Sequence, residues 1–99
     1  MTPIERLIHQ NTIGNLWIYI LILAKKRPIY GYTLRREIKE KFGFLPGKIS
    51  AYRVLYRLEK EGYLKSEILE RKRTYFLTKK GQEELEKAKE FYRKVLSYF

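Results

Sequence analysis

Residues 48–64 run Lys-Ile-Ser-Ala-Tyr-Arg-Val-Leu-Tyr-Arg-Leu-Glu-Lys-Glu-Gly-Tyr-Leu. On a wheel of about 100° per residue, Ala51, Val54, Leu55 and Leu58 fall on one side. Ile49, Tyr52, Arg53, Tyr56 and Lys60 fall on the other, with Arg57 at its edge. The spacing predicts a helix from Lys48 to Glu61 that packs by one face and leaves the other basic and aromatic. Gly62 stops it, and the Pro-Gly pair of Phe44-Leu45-Pro46-Gly47 predicts a turn before it.

Toward the N-terminus, Thr33 is placed to cap a helix carrying Leu34, Ile38 and Phe42 on one face and Arg35, Arg36 and Lys39 on another, ended by Gly43. Arg27 to Tyr32 reads as a turn or a short extended piece. Thr12 to Lys26 is a strongly apolar helix closed by basic residues before Pro28. Pro3 to Asn11 carries Ile4, Leu7 and Ile8 at helical spacing, and the two segments meet near Gly14. Toward the C-terminus, Tyr63–Leu69 and Thr74–Leu77 are β-rich runs flanking Glu70-Arg71-Lys72-Arg73, a hairpin with a basic tip. With no Gly or Asn there, the turn type stays open. Thr78 can cap a last helix in which Leu85, Ala88, Tyr92, Val95 and Phe99 recur at spacings of three and four, a seam that wants a partner.

Composition bounds what such a chain can do. Its 99 residues make a single domain: an extension helix over 1–11, a core over 12–77 and a terminal helix over 78–99. The formal charge is +11, while 44% of residues are hydrophobic, so the charge belongs to a folded surface. There is no Cys, no Asp and one histidine, His9, which reads as an ordinary surface residue. Thiol chemistry, disulfides, Cys or multi-His zinc sites and a Ser-His-Asp arrangement are excluded. General acid-base work would fall to Glu, Lys or Tyr, and no paired constellation of these is recognisable. No enzyme, cofactor or metal is expected. The longest apolar run, Leu16–Ala24, is about half a bilayer span, and the first eleven residues do not resemble an export signal. A cytoplasmic protein without a membrane partner is expected.

The order of helix, helix, turn, basic helix and basic-tipped hairpin is that of a winged helix-turn-helix. The expected class is mainly α, within α+β, with a β-hairpin wing of two or three strands and a C-terminal dimerisation helix. Three segments also resemble the PadR-like transcriptional regulators: Pro28-Ile29-Tyr30-Gly31-Tyr32, the run from Tyr52 to Leu64, and Arg73-Thr74-Tyr75-Phe76-Leu77-Thr78-Lys79-Lys80-Gly81. Together they span about Thr12 to Gly81. Tyr30 stands where the family usually has His, and the family's long C-terminal dimerisation region is reduced to one helix. The resemblance implies a DNA-binding regulator, usually dimeric, expected to repress, and in some members switched by small phenolic or drug-like ligands. For some members it also implies an aromatic on the helix of Trp17 lining a ligand pore at the dimer interface; by its own pattern Trp17 is core packing.

Binding a polyanion requires clustered cations on a rigid face with little opposing charge. Lys48, Ser50, Tyr52 and Arg53 sit in the first turn and a half of the basic helix, the end that approaches base edges in helix-turn-helix docking. Arg53 could donate bidentately to guanine. Ser50 or Tyr52 could contact a base or a phosphate, and Tyr56, Arg57 and Lys60 would meet the backbone. Arg71, Lys72 and Arg73 would touch phosphates or enter the minor groove. For Arg35, Arg36 and Lys39, phosphate contact and a solvated flank are equally good readings. The expected partners are double-stranded DNA, a second copy of the chain through Leu85, Ala88, Tyr92, Val95 and Phe99, and a small-molecule effector in the alternative of a ligand-responsive regulator with an aromatic site at the dimer interface. A further alternative is a non-specific DNA- or chromatin-coating protein, for which charge alone suffices.

Overall fold

The computed structural model describes residues 1–99. Five helices and three strands follow in the order α1 (Pro3–Asn11), α2 (Leu16–Lys26), β1 (Ile29–Tyr30), α3 (Leu34–Phe42), α4 (Lys48–Lys60), β2 (Leu64–Leu69), β3 (Lys72–Leu77) and α5 (Lys79–Ser97). One 3₁₀ turn joins α1 to α2 at Ile13–Asn15, and another leads into α3 at Gly31–Thr33. The first is the bend expected near Gly14. This is the winged helix foreseen from the order of elements.

Helix α2 is the hub because it is apolar all round. Six of its eleven residues are buried, Leu16, Ile18, Ile20, Leu21, Leu23 and Ala24, and it packs on α3, α4, α5 and β3. Around Ile20 and Leu21 the core closes with Ile29, Leu34, Ile38, Leu55 and Leu64. Pro3–Lys26 is long and apolar enough, on length and composition, to cross a bilayer, but its α2 part is the core of this domain. Tyr19 fastens both ends of that core: its hydroxyl donates to the Asn11 carbonyl at 2.5 Å. Its ring meets Phe42 and Phe44 edge-on at 4.9 and 5.0 Å.

Two local expectations are corrected. Thr33 does not cap α3, since the 3₁₀ turn before it already places Thr33 in helical conformation. Its hydroxyl instead bonds the Tyr30 carbonyl at 3.3 Å and Glu37 Oε2 at 3.0 Å. The wing is also longer than the β-rich runs suggested. Strands β2 and β3 pair antiparallel out to Leu69↔Lys72, so only Glu70 and Arg71 form the loop. Both have positive φ, 50° and 65°, the geometry of a type I′ hairpin turn built without the Asn-Gly that ordinarily relieves it. The sheet has three strands in the order β1-β3-β2, with Ile29↔Tyr75 and Tyr30↔Thr74 paired on the inner edge.

Helix α5 begins as its sequence predicts, the Thr78 hydroxyl accepting from the Gly81 amide at 3.0 Å. Its seam divides. Leu85 is only 9% exposed and belongs to the core cluster, with Ala88 packed against it, so the domain covers the first half of the seam itself by packing it on α2. The second half stands clearer, with Tyr92 40%, Val95 37% and Phe99 101% exposed, and Leu96, outside the predicted seam, is 70% exposed beside it. The Tyr92 hydroxyl donates to Asn11 Oδ1 at 2.8 Å and ties α5 to α1. Between α1, α2 and α5 an apolar groove of about 1220 Å³ runs past Leu7, Ile8, Ile22, Phe91, Leu96 and Phe99.

Candidate nucleic-acid interface

Helix α4 turns Ala51, Leu55 and Leu58 into the core, with Val54 half-buried at the boundary. The opposite face is open. Lys48, Ser50, Tyr52, Arg53, Tyr56 and Arg57 are all exposed, and none of the chain's five ion pairs involves them. Tyr56, which lies outward with Tyr52, is 66% exposed and is not core. Gly47 precedes α4 and offers no side-chain cap, so the first amides and the positive end of the helix dipole also face outward. Such a face can donate to phosphate oxygens and, through Arg53, to the edge of a guanine.

The wing presents less free charge than its sequence suggests. Arg71 alone of its three cations occupies the loop, beside Glu70. Lys72 and Arg73 lie in β3 and, being adjacent in a strand, leave it on opposite faces. Lys72 Nζ sits 5.3 Å from the Tyr30 ring centroid and 5.7 Å from that of Tyr32, and those two rings stack at 6.2 Å. The Lys72 ammonium donates a hydrogen bond to the Tyr32 phenol oxygen, which, with the nearby Tyr30 and Glu70, holds its pKa above the ordinary lysine range. On the other face, Arg73 Nη1 donates to Ser66 Oγ at 2.8 Å, and the Ser66 hydroxyl bonds the Glu59 carboxylate. This relay ties the wing to the C-terminal half of α4. Sequence reasoning missed both arrangements; the signal would have been the period-two alternation of Lys72 and Arg73, had the turn been placed at Glu70-Arg71.

Trp17 is half-buried and packed against the core. It lines a separate cleft with Ile13, Val54, Arg57 and Tyr63, away from the α1–α2–α5 groove. Tyr19 is the α2 aromatic that lines that groove. His9 is exposed, and no cluster of His, Cys, Asp or Glu could hold a metal ion.

A three-stranded wing behind an open, cationic recognition helix defines a winged-helix DNA-binding domain. The model of the transcriptional regulator PadR-like family matches residues 20–87, and the chain belongs to that family. Among solved structures it is similar to a transcriptional regulator from Clostridium thermocellum, with 30% identity, a TM-score of 0.75 and 87% of this chain and 90% of that chain covered. It is similar to a winged-helix DNA-binding protein from STIV, with 26% identity, a TM-score of 0.72 and 82% and 89% covered. It is also similar to Bacillus subtilis PadR in complex with operator DNA, with 29% identity, a TM-score of 0.62 and 73% and 45% covered. No curated protein sequence matches the chain.

Proposed function

We propose that the protein is a sequence-specific regulator that represses by occupying duplex DNA as a homodimer. Lys48, Ser50, Tyr52 and Arg53 enter the major groove, while Tyr56 and Arg57 meet the backbone. Arg71 reaches the backbone or minor groove, with Lys72 and Arg73 supporting it from the strand. The observation that carries this reading is the unpaired basic and aromatic face of α4 on a buried, rigid scaffold. The Bacillus subtilis PadR structure holds operator DNA, which supports duplex DNA as the partner here.

The dimer rests on the apolar groove and the exposed end of α5. An apolar surface of this kind on so small a domain gains most by burial against a second copy, through Tyr92, Val95, Leu96 and Phe99. Two α4 helices then read half-sites about 10 base pairs apart. Hydroxyl-radical footprinting on DNA selected by the protein tests this: two protected half-sites at that spacing are expected, and a uniform or single-site pattern contradicts it. The size and apolar lining of the same groove favour a second reading, a regulator whose small aromatic effector lodges there and changes the spacing of the two α4 helices. Titration with such ligands, read by Tyr fluorescence and by DNA affinity together, separates the two.

A further inference from the structure

Between α3 and α4, four cations line one concavity. Arg35, Arg36 and Lys39 from α3 and Lys48 at the start of α4 surround a cavity of about 460 Å³, with Tyr32 and Tyr52 as aromatic walls and no carboxylate in the lining. Glu40 reaches Arg36 only at 3.9 Å, both side chains in solvent. Arg35, Lys39 and Lys48 take part in no ion pair. Arg35 is more than a loose surface charge: half-buried, it donates from Nε to the Pro46 carbonyl at 2.8 Å. That bond fixes the guanidinium plane and leaves its other N–H donors without a partner in the chain. Like charges around one cavity oppose one another, and an anion between them relieves that repulsion.

The wing delivers a fifth cation to the edge of this cavity. Tyr32 is at once a wall of the cavity and half of the stacked pair under Lys72. The pairing Tyr30↔Thr74 sets Lys72 beside those rings.

We propose that this cavity is a seat for a single backbone phosphodiester of the DNA, with Arg35 as its preset donor and Lys72, held on the Tyr30–Tyr32 stack, flanking it on the wing side. The proposal rests on the DNA-binding reading above. The cavity adjoins the N-terminal turn of α4, so a phosphate seated there sets the register in which Lys48 to Arg53 meet the groove. Its contribution is the same for every sequence, because phosphate contacts position without reading bases.

Lys39→Ala and Arg36→Ala, singly and together, test the seat in the full chain, since both side chains are exposed and neither packs in the core. Duplex binding is followed by fluorescence anisotropy across salt concentrations. Each variant is expected to weaken target and random duplexes by the same factor, roughly tenfold, and the pair to flatten the salt slope measurably but by no more than about one unit in total, because both serve one phosphate. Duplexes carrying one neutral methylphosphonate at a time locate it: a single position should weaken the wild type most and the double variant less, since Arg35 and Lys48 still line the cavity there. Unchanged affinity and slope in the variants, or a slope loss of about two units, overturns the single seat. A wild-type protein that binds no duplex overturns the DNA reading itself, which is a different failure.

Discussion

At the α4 end of the molecule the open surface is charged: Lys48, Arg53 and Arg57 stand without carboxylate partners. At the α5 end it is apolar, with Phe91, Leu96 and Phe99 in solvent along a groove. In the proposed function a partner completes each surface, for opposite reasons. A cationic face is stable in water and is complemented by a polyanion, with an affinity that falls as salt rises. An apolar groove is costly in water and is complemented by another apolar surface, with an affinity that salt leaves intact. In the proposed function the same 99 residues carry two interactions that can be broken independently.

Leu96→Glu addresses the apolar side. Leu96 is 70% exposed, so the folded monomer should tolerate the change while the dimer does not. Sedimentation equilibrium should show a monomer, and operator affinity should fall by about 10²-fold or more as the two half-sites lose their tether. Persistence of the dimer would move its interface away from α5.

Gly81→Ala strikes the junction between the two sides. An added Cβ would come within 2.2 Å of the Tyr63 carbonyl and 2.7 Å of Leu77 Cδ1, so backbone must shift. A stability loss of about 1–3 kcal/mol is expected in urea unfolding, of the size seen for overpacked sites. Native stability would mean that α5 docks less tightly on the wing base than these distances require.

Arg53→Ala sharpens the charged side. Discrimination between target and random duplex should drop by about 1–3 kcal/mol if the guanidinium is bidentate to a base. An equal loss on both duplexes would assign Arg53 to the backbone. Glu70→Asn with Arg71→Gly supplies the residues a type I′ turn favours and should stabilise the fold by about 1 kcal/mol in thermal melts. If Arg71 also neutralises a phosphate, the same variant flattens the salt slope by about one unit.

The smallest expected effect is in alkali. Burial pushes the Tyr75 phenol above its ordinary range, and the charges of Glu59 and Tyr52 act in the same direction, against Arg73. A group that holds its proton more tightly when folded contributes stability that is complete below the unfolded pKa of about 10 and is lost as pH rises through the folded value. Stability measured against pH should therefore decline from about pH 10 upward, less so in Tyr75→Phe.

How much of this could be read from residues alone follows from the range over which each signal acts. The two faces of α4 are local periodicity, and Ala51, Leu55 and Leu58 turned inward as the wheel requires. The cap of α5 was equally local. The wing turn was not, because Glu70 and Arg71 adopt positive φ without the residues that announce it. The strands therefore ran further than their composition, and Lys72 and Arg73 moved from a tip to opposite faces of a strand. Spacing of three and four marks a seam but not what covers it, so Leu85 went to the core and Phe99 to solvent. The cavity of Arg35, Arg36, Lys39 and Lys48 depends on how the turn at Gly43–Gly47 folds α3 against α4, which no periodicity encodes.

In the proposed function the charged face reads sequence and does more than attract a polyanion. The most direct test of that claim is an anisotropy titration of a duplex selected by the protein against a scrambled one at several salt concentrations. A preference of about 10³ or more for the selected duplex is predicted, with both affinities falling steeply as salt rises. Equal affinities with the same slope would contradict the claim and make the protein a coat for DNA held by charge alone.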